Sequence, residues 1–222
     1  MLCDSINECM ITTYNAYNKT EIFNLDEIPE GFRDFFYQHR SYVKPAKEYF
    51  LLCEAFYNKI DLSYNKFNKM KKRLSKKMQL FEDHFFNQRK LMQKNQRVWL
   101  SYHKMYRHVS TFISELSSKF YIITNKDLYS VKILSNYFRF DDRIKNILSK
   151  EISNDKKILF KYFFDMILYN KDETRIIFVD DNEDNLSRVK NYPIELYFAK
   201  WGYAKKQINN SFNEINSLQD IQ

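Results

Sequence analysis

The chain predicts an α/β fold, a parallel-sheet core interrupted by a long all-helical insertion. Three observations carry this. Short apolar strand patterns alternate with helical patterns from Val109 onward. That order gives βαβ units and hence a parallel sheet. The segment from about Lys19 to His108 shows helical periodicity and no strand pattern. Finally, the run Arg175-Ile176-Ile177-Phe178-Val179 feeds directly into Asp180-Asp181, which reads as a buried parallel strand with two acids at its exit.

In chain order, Asp4 to Tyr17 reads as a helix start, with Asp4 or Ser5 as cap and Glu8 completing a capping box. Pro29-Glu30-Gly31 marks a break. Val43, Ala46, Tyr49, Phe50 and Cys53 share one helical face, as do Met70, Leu74, Met78 and Phe81. Leu91, Val98, Met105 and Val109 form an approximate heptad series. The second half predicts a helix over 109–118, a strand over 120–124, a helix over 128–138 and a weak strand over 144–148. A helix over 156–169, a strand over 176–179, a helix over 184–190 and a strand over 195–199 follow. Residues 1–15 and 108–222 are therefore expected to form the core, and 16–107 the insertion. The insertion's aromatic stripes read as inter-helix packing.

Composition narrows the class. The net charge is +8 over 222 residues. Fourteen Lys or Arg against three acids between Lys59 and His108 give that segment +11, so the remainder nets −3. Lys outnumbers Arg 26 to 10. Bidentate phosphate or base recognition favours Arg, so a solvated basic face is expected, with a funnel for an anionic substrate second and nucleic acid last. Cys3, Cys9 and Cys53 show no pairing pattern. No apolar stretch reaches the ~20 residues needed to span a bilayer, and the first residues carry Asp4 and Glu8. A cytoplasmic protein with no membrane partner is expected.

The residues that could carry chemistry stand where strands end, which is where open α/β sheets bind ligands. Thr124-Asn125 ends one predicted strand. Such residues also commonly cap the next helix. Lys156-Lys157 opens the 156–169 helix, where the helix dipole mildly disfavours cations, so one of the two is a candidate for an anionic partner and a solvated lysine is the plainer reading. Asp180-Asp181 repel one another unless a cation or a lysine relieves them, and paired carboxylates suit Mg²⁺. The intervals are 32 residues from Thr124 to Lys156 and 25 from Lys156 to Asp181.

Hydroxyl, lysine and acid pair in that order resemble the haloacid dehalogenase superfamily of phosphohydrolases. Thr124 with Asn125 resembles the motif that hydrogen-bonds the phosphoryl group. Lys156, preferred to Lys157 on spacing, resembles the lysine that offsets charge on phosphate and nucleophile. Asp180 and Asp181 resemble the acids that hold Mg²⁺, and Lys200-Trp201-Gly202-Tyr203 a segment common after the last core strand. The resemblance implies a Rossmannoid core with a helical cap, Mg²⁺ as cofactor, and a small phosphorylated substrate hydrolysed through an aspartyl-phosphate.

The family's first motif, Asp-x-Asp at the end of an N-terminal strand, occurs nowhere in these 222 residues. Met1-Leu2-Cys3-Asp4-Ser5 resembles only the tail of that segment, with Asp4 as a helix cap rather than a nucleophile. The expectation is an N-terminal truncation of about a dozen residues relative to an active phosphatase, an inactive 222-residue chain, and open ladder groups beside the missing central strand. The alternative is a non-catalytic phosphate-binding module on the same fold.

Overall fold

The computed structural model describes residues 2–167, 175–203 and 212–221. The chain divides into two compact units, Asp4–Lys104 and Met1–Cys3 with Met105–Gln222. The divisions fall at Cys3/Asp4 and Lys104/Met105, where the sequence reading placed them at 15/16 and 107/108.

Strand β1 (Cys3–Asp4) precedes helix α1 (Ile6–Asn18). Asp4 Oδ1 accepts from Ile6 N–H at 2.8 Å, so Asp4 acts as a capping group. The Ser5 side chain makes no capping bond. Glu8 completes no capping box, because its carboxylate is turned into the helical unit. The unit continues with α2 (Glu30–His39), α3 (Tyr49–Tyr57), α4 (Tyr64–Arg73), α5 (Ser75–Gln93) and α6 (Gln96–Ser101). Pro29 sits at the N-cap of α2, with Gly31 inside the helix. Val43 and Ala46 precede α3, set apart by Pro45. Leu74 separates α4 from α5, and Met70, Met78 and Phe81 remain buried on either side of it. The heptad series does not persist. Leu91 is exposed while its neighbour Met92 is buried, α5 stops at Gln93, and Met105 lies in strand β2 (Lys104–Met105).

Aromatic packing holds this unit. Tyr49 stacks between Phe36 and Phe85 at 5.3 and 5.5 Å. Beneath them Glu8, fully buried, receives Arg89 Nε at 2.7 Å and Nη2 at 2.9 Å, with Thr12 and Trp99 donating to Oε1. These donors are what a buried carboxylate needs to offset its loss of hydration.

The other unit alternates as expected: α7 (Arg107–Glu115), β3 (Phe120–Ile123), α8 (Leu128–Tyr137), β4 (Ile144–Leu148), α9 (Lys156–Ile167), β5 (Ile177–Asp180), α10 (Glu183–Val189) and β6 (Glu195–Ala199). The end of the expected 156–169 helix lies outside the described residues. Strand β7 (Asn213–Ile215) is an addition the sequence pattern did not show, its three residues being too few for a period. All pairings within this unit are parallel, β3 with β4 and β5 with β6 with β7. They form two sheets rather than the one expected, with no ladder between β3 and β5 among the described residues. β3 and β5 therefore each have one edge without strand pairing.

Alternation along β3 sorts its side chains to two faces. Phe120 and Ile122 join α7 in a cluster around Val109, Ile113, Phe140 and Ile215. Tyr121 and Ile123 join α9 in a cluster around Leu148, Leu159 and Phe163. The first cluster also takes in Val179 of β5, so side chains pack where the ladders stop. The carboxyl ends of β3 and β5 carry Thr124-Asn125 and Asp180-Asp181, two parts of the predicted site.

Candidate functional site

Thr124 follows directly on β3. Its N–H continues the ladder to Leu148 O at 2.9 Å, and its Oγ1 accepts from Lys126 N–H at 3.0 Å. The next helix is capped instead by Asp127, whose Oδ1 takes Ser130 N–H at 2.8 Å. Capping therefore does not account for Thr124 and Asn125. The Asn125 Oδ1 is buried without a hydrogen-bond partner. Such orphans call for an explanation. Turning the amide over puts its NH₂ donors at the same point, so Asn125 can offer a donor to an anion.

Lys156 opens α9 and points inward. It is 6 % exposed, whereas Lys157 is exposed. Asp155 caps the helix, its Oδ1 accepting from Lys157 N–H at 2.9 Å. The Lys156 ammonium donates to Ile123 O at the end of β3 and lies 4.0 Å from Asp180 Oδ2 at the end of β5. One side chain thus spans the two strands that no ladder joins. Burial pushes the ammonium below the usual lysine range, and the charges of Asp180 and Asp181 offset part of that.

Asp180 is the last residue of β5 and is buried. Its Oδ1 accepts from Asn182 N–H at 2.9 Å and its Oδ2 from Asn185 Nδ2 at 3.1 Å. Burial pushes its carboxyl above the usual range, Lys156 pulls it back, and Asp181 raises it further. Asp181 is half-buried and receives Tyr203 N–H at 2.9 Å. Gly202 lies directly against the Asp181 side chain, so a Cβ at 202 would collide with that carboxylate. This close approach is the physical need for glycine there. Trp201 beside it packs edge-on against His108 at 4.6 Å.

The structure thus brings Lys156, Asp180 and the carbonyl beside Thr124 into one cluster, with Asp181 as the adjoining acid. Of the two lysines, Lys156 is the buried one and Lys157 faces solvent. Asn185, Gly202 and Tyr203 support the acids. Their signal in the sequence was the Asn four residues after Asp181 and the scarcity of glycine, of which there are two. Two adjacent carboxylates with hard oxygen donors fit Mg²⁺, which takes one or two carboxylates and fills its shell with water and substrate oxygens. Among the described residues no third His, Cys, Asp or Glu joins them.

Fold and site together define a parallel α/β protein with a buried lysine and paired carboxylates converging at its strand ends. No protein-family model and no curated protein sequence matches the chain. Solved structures do share its fold. A haloacid dehalogenase-like family hydrolase from Streptococcus pneumoniae superposes with a TM-score of 0.61 at 12 % identity, covering 92 % of this chain and 82 % of that one. A haloacid dehalogenase-like hydrolase from Bacteroides fragilis gives 0.64 at 11 % identity, covering 98 % and 93 %. Protein Tyrosine Kinase A from Mycobacterium tuberculosis gives 0.61 at 12 % identity, covering 99 % and 90 %. The chain has the haloacid dehalogenase-like fold, a Rossmannoid core with an inserted helical unit.

Proposed function

We propose that this chain provides the phosphate- and Mg²⁺-binding half of a haloacid dehalogenase-like phosphatase site acting on a small phosphate monoester, with the helical unit as its cap. The observation that supports it most is Lys156, a buried ammonium held between the end of β3 and Asp180. Such a cation compensates the charge of a bound phosphoryl group. The unpartnered amide of Asn125 and the hydroxyl of Thr124 supply hydrogen bonds to the same group. Asp180 and Asp181 would hold Mg²⁺, which when bound polarises a phosphoryl oxygen and neutralises developing charge. The Tyr203 amide holds Asp181 Oδ2, and the absence of a Cβ at Gly202 leaves room for that carboxylate.

The aspartyl-phosphate route needs a carboxylate nucleophile, which attacks phosphorus as the alcohol leaves and is freed when water cleaves the acyl-phosphate. No Asp-x-Asp is present among these 222 residues, so these residues alone do not supply that route. The unpaired edges of β3 and β5 suit a further parallel strand between them, the position such a nucleophile takes in the resembling family.

A second reading has its own support. Asp180 is already satisfied by Asn182, Asn185 and Lys156, so the acid pair persists without metal, as in a non-catalytic phosphate-binding module. Calorimetric titration of the 222-residue chain with inorganic phosphate, with and without Mg²⁺, separates the two. Phosphate binding that strengthens with Mg²⁺ and is lost in Asp181→Asn supports the phosphatase-type site. Binding indifferent to both Mg²⁺ and Asp181→Asn favours the module, and no phosphate binding at all ends both readings.

A further inference from the structure

The helical unit carries a charged surface that the phosphate site does not use. Seven cations, Lys66, Lys69, Lys71, Lys72, Arg73, Lys76 and Lys77, fall within residues 66–77, and no Asp or Glu occurs between Asp61 and Glu82. Lys66 pairs with Asp61 and Lys71 with Glu48. The other five are exposed and have no ion-pair partner among the described residues. Lys69, Lys72, Arg73 and Lys76 recur at intervals of three, one and three residues, which keeps them on the outward side of α4 and the α4–α5 junction, away from buried Phe67, Met70 and Met78.

One turn further along α5 the surface becomes apolar. Leu80 is 67 % exposed. It edges a shallow cleft of about 260 Å³ lined by Tyr17, Phe50 and Phe81, with Lys19, Lys77, His84 and one acid, Glu54, also in its wall. Cations beside an exposed leucine and an apolar recess match the profile of a lipid headgroup layer, with phosphates outside and hydrocarbon beneath. Nucleic acid is a poorer fit. Four of the five unpaired cations are lysines, which lack the bidentate fork that reads bases. The aromatic rings beside the cluster, Phe67 and Phe81, are buried and offer no stacking platform.

We infer that the α4–α5 edge with Leu80 is a docking surface for an anionic phospholipid membrane, on which the protein sits peripherally. This departs from the sequence expectation of no membrane partner, because only the structure shows which cations remain unpaired and that Leu80 stands out beside them.

Vesicle sedimentation of the full 222-residue chain tests it, using phosphatidylcholine alone and phosphatidylcholine with phosphatidylserine. Binding is expected only to the phosphatidylserine vesicles and should weaken with salt. Each cation near such a surface contributes roughly fivefold in affinity, so Lys69→Gln/Lys72→Gln/Lys76→Gln is expected to lose on the order of a hundredfold. Leu80→Ser removes one inserting side chain and is expected to lose about tenfold with the salt dependence unchanged. All four positions are exposed, and circular dichroism verifies that the variants fold. Equal binding to both vesicle types overturns the inference, as does no binding to either. So does duplex or single-stranded nucleic acid bound more tightly than phosphatidylserine vesicles and unaffected by Leu80→Ser.

Discussion

Replacing Lys156 by Met is expected to unlock the α/β unit in a pH-dependent way. The ammonium lies 4.0 Å from Asp180. At that distance and an effective dielectric of about 20 the attraction is about 4 kcal/mol. Without it, Asp180 stays buried at the end of β5 with only its two amide donors. The cost has a ceiling, because the carboxyl can take up a proton instead. Protonating a carboxyl of ordinary pKa near 3.9 at pH 7 costs about 4 kcal/mol, and at pH 4.5 only about 1 kcal/mol. In the variant the folded-state pKa of Asp180 lies above its unfolded value. The folded form is therefore at least disadvantage below about pH 4 and loses stability as pH rises through the folded pKa. Hydrogen exchange of the β3 and β5 amides should show a loss of up to about 4 kcal/mol at pH 7, shrinking to about 1 kcal/mol at pH 4.5. Lys157→Met, at the exposed neighbour, should change stability by less than about 0.5 kcal/mol. A loss of the same size at both pH values would refute the reasoning, since the cost would then not be the charge of Asp180.

Three further outcomes follow from other contacts. Gly202→Ala places a methyl against Asp181. It should cost about 1–3 kcal/mol and weaken Mg²⁺ binding, read by calorimetry on the full chain; unchanged Mg²⁺ affinity would remove Asp181 from the metal site. In the helical unit, Arg89→Met strands the buried carboxylate of Glu8. It should cost about 3–5 kcal/mol, while Glu8→Leu/Arg89→Met returns most of that in a double-mutant cycle by urea denaturation. The Tyr57 hydroxyl is pushed up to about 12, chiefly by burial. An unfolded tyrosine ionises near 10, so the folded state holds its proton longer and stability falls as pH rises from 10 to 12. Phenolate absorbance should show a late-titrating component that Tyr57→Phe removes.

The sequence made the α/β unit legible because its strands and helices differ in period and are set off by polar turns. Strand 195–199 matches residue for residue, and strands 120–123 and 177–180 lie within one residue of expectation at each end. Preferring Lys156 to Lys157 rested in the sequence on spacing alone, whereas which of them is buried depends on which side of α9 faces β3, a tertiary matter. The split between β3 and β5 follows from residues that are close in space and 57 apart between Phe120 and Ile177. The heptad expectation failed because its intervals are seven, seven and four residues, and apolar residues so spaced also arise by chance in a chain this rich in them. The capping box failed for a different reason. Glu8 has the right spacing, but Arg89, 81 residues away, offers its carboxylate a stronger partner than a backbone amide.

Fold likeness alone leaves the activity open, because structures alike to this chain at the same level include two hydrolases and a protein named as a tyrosine kinase. What favours a phosphate site is therefore Lys156. A buried lysine is costly unless paired, and its pull on one strand's carbonyl and another strand's carboxylate holds together edges that share no ladder among the described residues. The same ammonium would have to turn partly from Asp180 to meet a phosphate. Phosphate binding and the clasp between β3 and β5 then draw on one charge. A dianion arriving beside Lys156 raises the negative charge around Asp180, and a metal ion shared between the acids and the phosphate is the cheapest way to offset it. If phosphate binds this chain without Mg²⁺, hydrogen exchange at β5 should speed up, and if it binds with Mg²⁺, exchange there should slow. That opposition in sign follows from the placement of Lys156, and a phosphate site elsewhere on the unit would not produce it.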